Sequence, residues 1–277
     1  MLDAFAYPVS LLMKMWHDLF LLVLPAGSAV IWPASLLLLL LTVRVILLRP
    51  AWTQLLAGRR TQLMQPRLAE LKHQHRGDSR SYLLAAQALS RREGVGLGSS
   101  AVPALLQIPV FMGLYRLLAG FTLTGHSSDN GVFDPTDVAS FAHATVFGVP
   151  LSAAIRTPLA TLQSVSMDLT QQHVIAVVAP LLLIAALATF INAWRSQRRQ
   201  AEFTRLGASA ATTASPFAAE MQRMTPIMVW LAPAAVLLAG TIFPLPLAIV
   251  IYTAINSVCT TIQTQWMAAR VDRLLPL

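Results

Sequence analysis

Five stretches of this chain are long and apolar enough to cross a lipid hydrocarbon core, and nothing else in the sequence constrains the fold as strongly. A helix needs about 20 residues to span that core, and residues 29–48, 101–123, 174–194, 225–243 and 245–266 all have about that length. Backbone polar groups inside a bilayer must be satisfied within the chain, so these stretches are expected to be helices. Composition agrees: 12% of the residues are charged and 56% hydrophobic, whereas a soluble domain carries about 25% charged residues. The last two stretches are separated only by the "FPLP" corner around Pro244 and Pro246, which predicts a tight antiparallel hairpin.

The net charge of +8 would suit nucleic acid, but its distribution points to topology instead. Arg49, Arg59, Arg60, Arg67, Lys72, Arg76, Arg80, Arg91 and Arg92 lie between the first and second stretches. Arg195, Arg198, Arg199, Arg205 and Arg223 lie between the third and fourth, and Arg270 and Arg273 follow the fifth. The 124–173 loop holds Arg156 against Asp129, Asp134, Asp137 and Asp168. The positive-inside rule then places the N-terminus outside and the C-terminus in the cytoplasm. The single cysteine, Cys259, permits no intrachain disulfide.

Residues 1–28 contain "YPVSLLMKMWHDLFLLVLP", with Lys14, His17 and Asp18 on one helical face and Leu11, Leu12, Met15, Trp16, Leu19 and Phe20 mainly on the others. That pattern predicts an extracytoplasmic amphipathic helix lying in the interface, with a sixth span as the alternative that its three polar groups disfavour. Between 50 and 100, Leu68, Leu71, Tyr82, Ala85, Ala86 and Leu89 recur at helical steps interrupted by Gly77-Asp78. This predicts a lightly packed cytoplasmic helical hairpin, which pattern alone does not separate from a solvated spacer. The cytoplasmic loop 195–224 includes "GASAATTASP", expected to be flexible, and 267–277 is a short cytoplasmic tail. The expected fold class is therefore all-α and polytopic, with five transmembrane helices.

Enzymatic chemistry finds no footing. His73 and His75 stand two apart, a poor metal pair on a helix. "GVGLGSS" at 94–100 lacks the lysine of a phosphate-binding loop, and no cofactor is expected.

Polar groups inside the spans carry the functional signal. Arg44 interrupts a run that begins with six leucines, Leu36–Leu41, and lies five residues before Arg49. At 1.5 Å per residue it sits roughly 7 Å inside the cytoplasmic helix end. Snorkelling to the interface and exposure to a hydrated cavity are both open at that depth. Gln107, Thr189, Asn192, Asn256, Thr260, Thr261 and Gln263 all fall toward the cytoplasmic halves of their spans. A shared aqueous pocket would satisfy them together, and separate helix-to-helix hydrogen bonds would satisfy them singly. A cation at the same level with no acidic residue deep in any span favours the pocket.

These residues resemble the YidC/Oxa membrane-protein insertases over nearly the whole chain, in a short form without a large extracytoplasmic domain. "YPVSLLMKMWHDLF" is similar to the family's leading amphipathic helix, "TVRVILLRP" to its first core span, and "MQPRLAELKHQHRGD" to its cytoplasmic hairpin. "VPALLQIPVFMGLYRLL" is the most specific stretch, with Pro103, Gln107, Pro109, Phe111 and Tyr115 in family register. "LATFINAW" and "IYTAINSVCTTIQTQW" resemble the third and fifth spans, the latter at Tyr252, Asn256 and Gln263. The sequence departs from the family at "GLGSSAVP" before the second span, at Leu40 four residues before the arginine, at Asn192 where a Gln is usual, and in the tail "MAARVDRLLPL".

The resemblance implies a monomeric insertase of the bacterial plasma membrane. Its hydrophilic groove would be open to cytoplasm and lipid and closed outside, lined by Arg44, Gln107, Thr189, Asn192, Tyr252, Asn256 and Gln263. Nascent membrane proteins and the bilayer are the implied partners, with the ribosome and a Sec translocon as further ones and no direct nucleic-acid recognition. An assembly chaperone without insertion activity and a small-solute channel are the rival expectations.

Overall fold

A computed structural model describes the backbone of residues 2–25, 27–75, 77–93, 102–121, 130–206 and 216–275. Side chains are described for these except 2–5, 65, 69, 102–110, 200, 202–206, 216–226 and 228. The expected flexible stretch at 207–215 and the "GVGLGSS" segment therefore lie outside the described residues, as do the side chains of Pro103, Gln107 and Pro109. Nearly all the regular structure is helical, in the order α1 (Leu2–Leu21), α2 (Ile31–Ile46), α3 (Leu48–Gln74), α4 (Ser79–Arg92), α5 (Val102–Gly120), α6 (Pro135–His143), β1 (Thr145–Val146), β2 (Val149–Pro150), α7 (Leu159–Gln163), α8 (Gln171–Leu206), α9 (Pro216–Ile242) and α10 (Leu247–Leu274).

Among the described residues, Gln171–Arg199 and Leu247–Leu274 are each long and apolar enough to cross a membrane alone. Ile31–Ile46 and Leu48–Met64 qualify together, as a pair broken at Leu47. The break has a cause in the sequence. Pro50 has no N–H to bond to the Ile46 carbonyl four residues earlier, and its ring crowds that group.

The chain divides into two compact units. The first comprises Met1–Ile46, Leu106–Ala188 and Pro233–Cys259. In it α2 packs on α10 through Leu36, Leu39, Leu40, Ala248, Ile249 and Tyr252, all buried. Leu40, the departure from the family pattern, is thus a core residue. Gly240 permits close approach of α9 to α8, because a Cβ there would run into the Leu182 side chain. The first amides of α10 donate to loop carbonyls, Leu247 to Ala153 at 2.7 Å and Ala248 to Leu151 at 2.9 Å, satisfying groups that a helix start leaves open. Arg156 serves the other side of the same corner, donating to the Ile242 carbonyl at the end of α9.

The described part of the 124–173 loop, residues 130–173, contains regular structure. Asp134 caps α6 by accepting from the Thr136 and Asp137 amides, both at 2.9 Å, with Pro135 in the first turn. The Thr136 hydroxyl and these amides hold the Asp134 carboxyl below its ordinary value. β1 and β2 pair antiparallel through a two-residue turn, Phe147-Gly148, in which both φ values are positive (51° and 78°). Such a turn matches the strand twist and is costly for a bulky residue like Phe147.

Helix α1 turns His17 and, in part, Lys14 inward and leaves Asp18 exposed. Met13 and His17 are buried, His17 stacks on Trp32 at 4.0 Å, and Lys14 bonds Asp137 at 2.7 Å. Tyr7, Leu11, Met15 and Leu19, at four-residue steps, form the exposed face. Lipid is as apolar as leucine, so an outward leucine stripe loses little in a bilayer. The Asp137 carboxylate, accepting the lysine's hydrogen bond, holds Lys14 above its ordinary pKa.

The second unit comprises Leu47–Leu105, Thr189–Ala232 and Thr260–Leu277. Helices α3 and α4 occupy the interval expected for the hairpin. Asp78 caps α4 through the Arg80 and Ser81 amides, and Gly77 takes a φ of 93° before it. Leu68, Leu71, Tyr82, Ala85, Ala86 and Leu89 are all half-buried, whereas Leu83 and Leu84 are exposed. The exposed Arg67–Glu93 pair, at 2.7 Å, adds little to the hairpin's stability.

Candidate functional site

Arg44 lies in the last turn of α2, just before the break at Leu47. Its guanidinium donates from Nη2 to both the backbone carbonyl and the side-chain Oδ1 of Asn256 on α10, at 2.5 and 2.6 Å. One asparagine thus offers two neutral acceptors to one cation, and Arg44 remains half-buried. Tyr252 lies one helical turn before Asn256 and is buried against the α2–α10 core, as are Val43, Ile255 and Cys259 in part. Charge-assisted hydrogen bonds of this kind are stronger than neutral ones, and in low dielectric the arginine's field reaches further than in water.

Thr42, two residues before Arg44, points elsewhere. Its hydroxyl accepts from the Trp16 indole at 3.1 Å and donates to the Leu38 carbonyl at 2.7 Å, which ties α2 to α1.

The opposite end of the first unit is an aromatic cluster. Trp32 makes edge contacts with Phe141 at 5.1 Å and Phe121 at 6.1 Å and a tilted one with Phe133 at 5.6 Å. Phe121 stacks on Phe141 at 4.0 Å. The Trp32 indole donates to Ser140 at 3.0 Å, so its one polar group is satisfied. Such pairs contribute about 0.5–1.5 kcal/mol beyond their burial.

The seven residues expected to line a groove divide between the two units. Arg44, Tyr252 and Asn256 come together in the first, where Gln107 belongs to α5. Thr189, Asn192 and Gln263 belong to the second. There, Asn192 and Gln263 line a pocket of about 350 Å³ formed by α3, α8 and α10.

Arg59, Arg195 and Arg199 line the same pocket, and the sequence reading used them only to orient the chain. Their signal was present in the spacing. Asn192, Arg195, Ser196 and Arg199 fall three and four residues apart, on one face of α8. Arg59 is 6% exposed and donates from Nε and Nη2 to the Leu275 carbonyl, at 3.1 and 3.0 Å. Among the described residues, no group of His, Cys, Asp and Glu side chains is arranged to hold a metal.

Comparison with known proteins gives a consistent picture. The family model described as "60Kd inner membrane protein" matches residues 26–273. The membrane protein insertase YidC of Mycobacterium tuberculosis is 31% identical over 98% of this chain and 74% of its own length. The protein of the same name from Corynebacterium glutamicum is 32% identical over 100% of this chain and 66% of its own. That of Bifidobacterium longum is 22% identical over 92% and 71%. No solved structure matches the chain. The matched span runs from before α2 almost to the end of α10, and the chain belongs to the YidC/Oxa family of 60Kd inner membrane proteins.

Proposed function

We propose that this protein is a membrane protein insertase and that Arg44 is the cation of its substrate groove. The observation that carries the second statement is the Arg44–Asn256 link. A guanidinium in the last turn of an apolar helix is held half-buried by neutral oxygens of a second helix. Snorkelling to the headgroups would instead leave it extended along its own helix.

In this reading five spans are formed by α2 with the start of α3, α5, α8, α9 and α10, with the N-terminus outside and the C-terminus cytoplasmic. Arg44, Gln107, Thr189, Asn192, Tyr252, Asn256 and Gln263 line the groove. A fixed cation at an effective dielectric of 20 attracts a carboxylate 4 Å away by about 4 kcal/mol. An acidic tail of a nascent membrane protein would be drawn in, and its apolar segment would then partition into lipid. Each leucine in that segment contributes about 0.3–0.6 kcal/mol. An outward-moving negative charge gains about 2.3 kcal/mol per 100 mV of potential. Partition and potential together supply the free energy, so neither a nucleotide nor covalent chemistry is required and the protein is not an enzyme. In this reading the Trp32 cluster lies toward the outer side, and its packed rings argue against a solute channel.

The test is insertion of a small single-span client with an acidic translocated tail into liposomes that contain this chain alone. The reading expects insertion that depends on Arg44. Folding assistance to a client already in the membrane, without insertion, would favour the assembly-chaperone reading.

A further inference from the structure

The pocket of the second unit has a chemistry of its own. Three guanidinium groups, Arg59, Arg195 and Arg199, face it with one carboxylate, Asp272, so its charge is strongly positive. Arg59 is fixed at its base by the Leu275 carbonyl, with Asp272 at 3.9 Å. Arg195 donates to Gln265, itself a lining residue, which holds one guanidinium at the mouth. Buried Met267, Ala268 and Val271 make an apolar wall beside these groups.

The same helices mark the depth of the pocket. On α8 the Arg198 guanidinium lies 3.9 Å from the ring centre of Trp194, and on α10 that of Arg270 lies 5.3 Å from Trp266. Both tryptophans are exposed. Exposed tryptophans at the ends of apolar stretches, each followed one turn later by arginine, belong at the headgroup level of a bilayer. The lining residues Arg195, Ser196, Met267 and Ala268 fall within these Trp–Arg intervals. A cationic pocket with an apolar wall at that depth has the phosphate of a lipid as its nearest abundant anion.

We propose that the α3–α8–α10 pocket binds the phosphodiester of an anionic phospholipid, with Arg195 and Arg199 contacting the phosphate and the apolar wall receiving the start of its chains. The inference rests on the membrane-spanning reading and shares Asn192 and Gln263, but not Arg44, with the proposed groove, so lipid preference and Arg44-dependent insertion are read out separately.

The test uses the full chain in neutral detergent. It is offered equal amounts of phosphatidylglycerol and phosphatidylcholine with the same acyl chains, and bound lipid is counted by native mass spectrometry. Phosphatidylglycerol adducts should exceed phosphatidylcholine adducts by about tenfold, a difference of roughly 1.4 kcal/mol. R195Q/R199Q should bring the two lipids to parity, and R195K/R199K should restore most of the preference, which separates loss of charge from loss of fold. R91Q/R92Q removes equal charge from α4 and should leave the preference intact, as should a large excess of inorganic phosphate.

An unchanged preference in R195Q/R199Q would overturn the proposal, as would an equal loss in R91Q/R92Q. Displacement of the lipid by inorganic phosphate would overturn the lipid source and leave a free-anion site. Impaired insertion of acidic clients by R195Q/R199Q with lipid adducts unchanged would reassign these arginines to the groove and equally overturn it.

Discussion

Lys14 and Arg44 are both cations within the first unit, and the structure treats them in opposite ways. Lys14 meets a carboxylate, Asp137, at 2.7 Å, beneath an aromatic cluster, and the pair is neutral. Arg44 meets the carbonyl and amide oxygens of Asn256, two neutral acceptors that fix its position. A cation neutralised by its own chain is a structural element. One positioned by neutral acceptors is, in the proposed reading, held where an incoming anion can meet it. The aromatic cluster should therefore govern stability, and in the proposed reading the Arg44–Asn256 link should govern which clients are handled.

The largest expected stability effect is at the aromatic cluster. Trp32→Ala should cost about 3–5 kcal/mol, from the cavity left among Phe121, Phe133 and Phe141. Unfolding in detergent would measure it, and insertion per folded molecule should be little changed. A loss of insertion without a loss of stability would break the comparison. Asp137→Asn comes next. It removes the nearer of two carboxylates from Lys14, leaving Asp18 at 3.8 Å, and because the side chains retain some solvent access, the cost should be about 1 kcal/mol. Asn256→Ala should cost about 0.5–2 kcal/mol in stability, yet alter the relative insertion of acidic and neutral clients more than Asp137→Asn does.

The smallest effects are pH-dependent. Asp134 is held below its unfolded pKa, so its cap stabilises α6 fully above that pKa, near 3.8, and the contribution is lost as pH falls through the folded value. Amide exchange over residues 135–143 should speed up below about pH 4 relative to other helices, once intrinsic exchange is corrected. Lys14 has the opposite sign. Its raised pKa gives a contribution present below 10.5 and lost as pH rises through the folded value. Detergent stability should therefore fall at high pH in the wild type and fall less in Asp137→Asn.

How much of this was legible in the sequence varies by element. The break after Ile46 follows from Pro50, and the cap at Asp78 from the Gly-Asp pair, because both are local. Arg44 and Asn256 stood out because polar residues inside apolar runs demand an account. The inward turn of α1 could not be read. Amphipathicity shows that Lys14 and His17 share a face, but Asp137 lies 123 residues away and Trp32 belongs to another helix. The order within 130–173 was missed although Asp134-Pro135 is a recognisable helix start. The pocket arginines were hidden by their own usefulness. As topology markers they signal orientation, while the three- and four-residue spacing on α8 is what signals a common face.

The central claim is that the Arg44 charge, fixed by Asn256, draws in acidic tails. The most direct measurement compares insertion of matched clients with acidic and neutral translocated tails by wild type, Arg44→Ala and Arg44→Lys in liposomes. The account predicts that Arg44→Ala loses about tenfold in rate for the acidic tail, that Arg44→Lys keeps most of it, and that the neutral tail is little affected. Equal insertion of the acidic tail by wild type and Arg44→Ala would contradict it.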